Sequence, residues 1–280
     1  MLTLSPFRHW FRERALEGAV RRFVADLRVP QVSRFWRPRK SRQSTSPDPS
    51  IHPFDLQYHV DTSGLVYADK LSTGHAHDAA SEGYYATAPS LFHGAVARWR
   101  ATVGESLGPL APQSLGDYTF IDLGCGKGRV LMMATDYPFQ KVTGVELSPK
   151  LAKVARRNLA KWLNTPRACR NVTLQVGDVM QLRLPDTPVV LFLFNSFGAE
   201  VMSKLLEALA AAARQRSTPI DLIYLHPDQE AQLRHSGFDP LSDEEIPLTK
   251  EDAAADAFAV THDRCAIYRL RVREQGTVRD

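Results

Sequence analysis

Four polar side chains stand near or just after the ends of apolar, β-type runs: Asp122, Glu146, Asp178 and Asn195. Asp122 is followed by a turn with glycine at every second position, Gly124, Gly126 and Gly128, with Cys125 inside it. Glycine is required where backbone takes positive φ or comes within contact distance of a ligand. An apolar run suited to a helix begins at Val130. A strand, a glycine turn and a helix N-terminus together form a nucleotide cradle at the carboxyl edge of an open α/β sheet. An ordinary βα turn seldom needs three alternating glycines beside an acid.

The glycine spacing bears on which nucleotide. A dinucleotide fingerprint is G-x-G-x-x-G, with pyrophosphate on the helix N-terminus; here the third glycine falls one residue early. With Asp122 two residues ahead of Gly124, the stretch resembles motif I of the class I, seven-strand methyltransferases that use S-adenosyl-L-methionine. A carboxylate beside the loop suits that ligand's amino acid head and sulfonium and would repel a pyrophosphate. The resemblance implies a loop of Gly124, Cys125, Gly126 and Gly128 around the cofactor, with Asp122 beside it. Cys125 needs only to be small there, and its side chain reads as packing. Glu146, 18 residues after Gly128, implies a ribose contact, although Ser148-Pro149 also reads as a helix cap that an acid would favour. Asp178 implies a contact to the adenine amine, against the plain reading of Gly177-Asp178 as a turn.

Asn195 and Phe197 are the catalytic expectation. Many similar enzymes that methylate nitrogen carry Asn/Asp-Pro-Pro-aromatic after the fourth strand, where the amide oxygen aims a substrate amine at the methyl group. Here Asn195 matches, so it is expected at both acceptor and cofactor; Phe197 matches the aromatic with one residue fewer, and Ser196 replaces proline. An Asn turn after a strand is the plain alternative. Asp61–Gly64, followed by Tyr85-x-Thr87-x-Pro89, resembles an uncharacterised bacterial group of class I methyltransferases, with general likeness to seven-strand lysine methyltransferases, over roughly residues 54–273. Tyr85 and Thr87 are read either as contacts to the cofactor's carboxylate end or as caps of the helix starting near Leu91. His226 closes another strand, where histidine is structural more often than catalytic.

These residues require a mostly parallel sheet to position them. Runs at 118–123, 141–145, 172–176, 188–194 and 220–225 alternate with helical segments at 149–163 and 199–214. Continuous apolar runs such as 188–194 suit parallel strands covered on both faces. A last antiparallel pair is expected at 257–261 and 264–272, after a polar stretch at 243–256. The fold expected is a Rossmann-like, seven-stranded α/β sheet with a terminal antiparallel hairpin and an N-terminal helical extension. Residues 1–36 read as that extension, 37–53 as a flexible linker, 54–113 as a cap over the cofactor site and 114–280 as the methyltransferase domain.

Charge is divided unevenly. Residues 1–50 hold 11 Lys and Arg against 4 Asp and Glu, a balance of +7, leaving −3 for the other 230. The body gives no strong nucleic-acid signal. Residues 5–29 read as a basic amphipathic helix, with three open roles: docking on the domain, lying on an anionic membrane surface, or a transit peptide. No apolar stretch approaches the roughly 20 residues that span a bilayer, and the first residues are too charged for a secretory signal. A cytoplasmic location, with peripheral membrane contact through residues 5–29 as one option, is the expectation. Three cysteines without metal-type spacing suggest a reducing compartment and no metal; His75 and His77 read as loop residues. The expected activity is methyl transfer from S-adenosyl-L-methionine to an amine of a protein side chain or small molecule. An O- or C-methyltransferase on a small or lipid-like molecule and a non-catalytic binding module are the alternatives. The acceptor itself is not named by the sequence.

Overall fold

A computed structural model describes residues 51–71, 73–75, 83–107 and 114–270. The basic helix expected at 5–29 and the linker up to residue 50 lie outside the described residues. No helix among the described residues is long and apolar enough to cross a membrane.

Seven strands form the main sheet: β3 (Thr119–Leu123), β4 (Lys141–Glu146), β5 (Val172–Val176), β6 (Val189–Phe194), β7 (Ile220–Leu225), β8 (Phe238–Pro247) and β9 (His262–Leu270). Their order is β5-β4-β3-β6-β7-β9-β8. The first five run parallel, while β9 is antiparallel to both β7 and β8. This is the Rossmann-like, seven-stranded sheet with a terminal antiparallel hairpin. The strand order reverses beside β3, where β4 and β6 flank it, so the crevice for a ligand opens at the carboxyl end of β3.

Side-chain alternation along each strand sorts the core into two faces. Phe120 and Phe192 pack with Phe92, Val96 and Trp99 of α2 (Pro89–Leu107) and with α3 (Arg129–Ala134) and Leu159 and Trp162 of α4 (Pro149–Trp162). Ile121, Leu123, Leu191 and Leu193 pack against Val201, Leu205 and Leu209 of α5 (Ala199–Ala213). Because both faces are covered, β3 and β7 are buried along their whole length. The one acid in β7, Asp221, is fully buried and held by Arg269 at 2.6 Å and by Trp99 Nε1 at 2.9 Å; it is a structural anchor.

Ahead of the sheet lie α1 (Pro53–Tyr58) and a two-stranded ribbon, β1 (Leu65–Val66) with β2 (Tyr84–Tyr85). Of two short helices, α6 (Glu230–Leu233) precedes the hairpin and α7 (Lys250–Ala255) lies in the connection between β8 and β9.

The hairpin departs from its expected boundaries. The apolar run 257–261 is not a strand: Asp256 Oδ1 accepts the N–H groups of Phe258 and Val260, and Ala259 takes a φ of 56°. A side chain that satisfies local backbone donors offers a turn in place of a ladder. The missing strand is β8, whose Pro240 and acids Asp243, Glu244 and Glu245 disguise it. β8 is the sheet's edge, where proline, charge and the irregularity between Pro240 and Ser242 are tolerated.

Candidate active site

The loop after β3 is anchored from β4. The N–H groups of Gly124 and Cys125 both donate to the Val145 carbonyl, at 2.9 and 3.0 Å. Gly126 N–H donates to Glu146 Oε2 at 2.7 Å, and Ser148 N–H donates to Oε1 at 2.7 Å. Gly124 and Gly126 have φ of 83° and 54°. A Cβ on Gly124 would sit 2.7 Å from Ser196 Oγ, and one on Gly126 would run into the Tyr84 ring. Both a left-handed backbone and the lack of a side chain are therefore required here.

The loop floors a notch bounded by Asp122, Glu146, Asp178, Ser196 and Phe197, with Tyr84 to Thr87 on the other side. Asp122 is the residue whose state matters most. Its Oδ2 is buried with no hydrogen-bond partner among the described residues. Burial first, and the nearby Glu146 second, push its carboxyl well above the ordinary range. Glu146 is also raised by burial, against the lowering effect of its two backbone donors. An acid orphaned at the floor of a glycine cradle is a group held ready for a ligand, because burying it otherwise costs free energy.

Asp178 is buried at the notch and caps a short 3₁₀ turn, its Oδ1 accepting from Met180 N–H at 3.0 Å. The turn reading and a place in the notch hold together. Cys125 lines the notch while its thiol, raised by burial, packs within the core.

Arg129, directly after the loop, was missed by sequence reasoning. It is 3% exposed and lies 3.5 Å from Asp55. Its Nε donates to Thr62 Oγ1 at 2.6 Å and Nη1 to the Thr87 carbonyl at 3.4 Å. Asp55 in turn accepts N–H groups of Thr62 and Ser63 at 2.6 Å each. Asn158 of α4 bonds both Asp61 and the Lys127 carbonyl. The Asp61–Gly64 stretch is thus the clasp that ties the N-terminal segment to the glycine loop. A single arginine at the head of an otherwise apolar helix was the available signal.

Tyr85 and Thr87 line the notch, but the Tyr85 hydroxyl is committed elsewhere: it donates to Asp256 at 2.7 Å and accepts from Ala257 N–H at 3.0 Å. It locks the ribbon to the turn at 256–258 and does not cap α2.

Asn195 requires a correction. It is 1% exposed with a φ of 38°, and its carboxamide faces away from the notch. Nδ2 donates to Asp228 at 2.7 Å, and Oδ1 accepts from Tyr224 at 3.2 Å. The wall of the notch at this point is Ser196 and Phe197. Without the proline pair, the left-handed turn at Asn195 presents the next residue instead. His226 lies in the same network: Nδ1 is 2.9 Å from Asp263 and Nε2 is 3.3 Å from Asp228. Burial lowers its pKa, but the two carboxylates outweigh this and raise it. It is a clamp for the turn, outside the notch.

Residues 120–217 match the family model of a methyltransferase domain. That stretch is similar to a methyltransferase domain. Similar solved structures include a magnesium protoporphyrin IX methyltransferase from Synechocystis with bound S-adenosylmethionine, at 17% identity and TM-score 0.44, covering 65% of this chain and 80% of that one. A precorrin-6y C5,15-methyltransferase from Geobacter metallireducens also has 17% identity and TM-score 0.44, covering 72% and 95%. An RNA methyltransferase from Salinibacter ruber has 21% identity and TM-score 0.36, covering 64% and 95%. At such scores the fold stands on strand order, not on these neighbours. No curated protein matches the sequence.

The cofactor of a methyltransferase domain of this fold is S-adenosylmethionine, and the residues present fit it. The orphaned Asp122 carboxylate and the glycines whose Cβ would fill the cradle suit a ligand with cationic groups and no phosphate.

Proposed function

We propose that the protein transfers the methyl group of S-adenosylmethionine to an amine nitrogen of a protein side chain or small molecule. The observation that carries the cofactor half is Asp122, buried and unsatisfied at the floor of the glycine notch. Asp122 and the loop at 124–128 would hold the amino acid end, with Arg129 beside them; Glu146 would take the ribose and Asp178 the adenine. When bound, the cofactor supplies an activated methyl group, so the protein's contribution is orientation and exclusion of water.

Ser196 takes the place that sequence reasoning gave to Asn195. Its hydroxyl donates to the Phe194 carbonyl at 3.3 Å, which leaves the oxygen's lone pairs directed for accepting. An acceptor oxygen at the notch wall can align an N–H of a neutral amine, and Phe197 supplies an apolar neighbour. Asn195 is a positioning residue that holds the turn through Tyr224 and Asp228.

The apolar side of the notch, Phe194, Phe197 and Val201, favours a second reading: an O- or C-methyltransferase on a small or lipid-like molecule. Incubating the protein with tritiated S-adenosylmethionine and cell extract separates the two. Label in protein bands or in an amine fraction supports the first, and label in neutral organic extract the second. Absence of transfer, with cofactor bound, points to a binding module and refutes both. A membrane role for residues 5–29 is part of the second reading, supported by their aromatic and arginine content.

A further inference from the structure

A second cavity, of about 640 Å3, lies across the Tyr85-Ala86 segment from the glycine notch. Tyr85, Ala86 and Arg129 belong to the walls of both. Ligand sites commonly run from about 300 to 1,000 Å3, so this space suits a small molecule or an extended side chain. Its width comes from small residues, among them Gly64, Ala86, Ala88 and Ala254. An apolar group beside it joins Leu65, Tyr85, Phe258 and Val260.

Two carboxylates give the cavity its character. Asp252 accepts Ser90 N–H at 2.7 Å and lies 3.2 Å from His52 Nε2. Burial alone would raise its carboxyl, but His52 and Ser90 outweigh burial and hold it at about 2. Asp256 is bonded by the Tyr85 hydroxyl and by the N–H groups of Phe258 and Val260. Those partners are neutral dipoles and do not cancel its charge. The cation in the wall, Arg129, already faces Asp55 at 3.5 Å. His52 likewise faces Asp252, so the wall carboxylate with no ion-pair partner among the described residues is Asp256, and its charge makes that end of the cavity negative.

We propose that this cavity is the acceptor site and that it takes an aliphatic diamine, one ammonium held by Asp252 and Asp256 and the other nitrogen reaching past Tyr85 and Ala86 into the notch. This rests on the methyltransferase reading. A nitrogen held by carboxylates keeps its proton, because an opposite charge favours the ammonium form; it has no lone pair to donate. The methylated nitrogen must be the other one, arriving neutral after its proton passes to water. That lone pair forms the N–C bond while the C–S electron pair stays on sulfur, and the new secondary ammonium is the product beside S-adenosylhomocysteine. The methylene chain packs along Leu65 and Tyr85.

The test uses the full chain and calorimetric titration with 1,5-diaminopentane and with 5-aminopentanoate, which has the same length and a carboxylate at one end. Both are run with and without S-adenosylhomocysteine. The diamine is expected to bind at least about tenfold tighter than the aminopentanoate, since a hydrogen bond to a charged group is worth that or more. Asp256→Asn is expected to weaken the diamine about tenfold. Ala254→Lys, at an exposed position of α7 on the cavity rim, is expected to narrow the gap between the two probes even if Asp256→Asn fails to fold. Equal binding of the two probes by the wild type, or a gap unmoved by Ala254→Lys, overturns the proposal. Failure of S-adenosylhomocysteine to bind overturns the donor reading instead, and the probe preference without it reports the cavity separately.

Discussion

Replacing Asp122 by Asn should move stability and cofactor affinity in opposite directions. The carboxyl is buried, Oδ2 has no partner among the described residues, and its pKa is raised by burial and by Glu146. A raised carboxyl stabilises the fold fully only below the unfolded value near 3.9, and that contribution is lost as pH climbs through the folded value. At pH 7 the wild type therefore bears the cost of an acid it would rather keep protonated. An amide of the same shape removes the charge, although it leaves a polar group buried. Releasing part of the roughly 1–3 kcal/mol cost of an unsatisfied buried group should stabilise the ligand-free protein by about 1 kcal/mol. For a domain of this size that is a rise of roughly 2–4 °C in Tm. The same change removes a charge-assisted contact to the cofactor's amino acid end, worth about 1.5–3 kcal/mol, so Kd should rise roughly 10- to 150-fold. Thermal unfolding of the ligand-free protein between pH 4 and 8, beside calorimetric titration of S-adenosylhomocysteine, reads both. The wild-type and variant Tm should converge towards pH 4. A variant that binds S-adenosylhomocysteine like the wild type, or one that is less stable at pH 7 than at pH 4 relative to wild type, refutes the role given to Asp122.

Two further outcomes test the surrounding structure. Arg129→Met should lower stability by about 3–5 kcal/mol, because it leaves Asp55 buried at 4% side-chain exposure without its cation; chemical denaturation measures this, and a loss under about 1 kcal/mol would mean that the clasp at Asp61–Gly64 is not held by charge. His226, raised by Asp228 and Asp263 against the effect of burial, should stabilise the fold fully below pH 6.5 and lose that contribution as pH rises through its higher folded value. His226→Gln should flatten this alkaline decline in Tm, and an unchanged slope would remove His226 from the network that holds the Asn195 turn.

The parallel sheet and the order of the notch residues were legible in the sequence because each rests on local pattern. Apolar runs of strand length, glycines at alternate positions and an acid at a strand end are all read within a dozen residues. Asp122, Glu146 and Asp178 come together in the notch because parallel strands bring their carboxyl ends to one edge. The edge strand β8 was hidden for the opposite reason: at an edge, proline and acids carry little cost, so local composition no longer reports the ladder. The apolar run at 257–261 misled because one side chain, Asp256, satisfies its backbone donors.

By itself, the sequence determined the fold class, the glycine loop and the acids around it, since backbone conformation and strand burial are short-range demands on residue type. Only the tertiary structure decided where side chains point and which distant groups they meet. Tyr224 and Asp228 turn Asn195 away from the notch, Asp55 and Thr62 claim Arg129, and Asp256 claims the Tyr85 hydroxyl from 171 residues away. Hydrogen bonds and ion pairs over such separations depend on the packed geometry of whole elements, which no window of sequence contains.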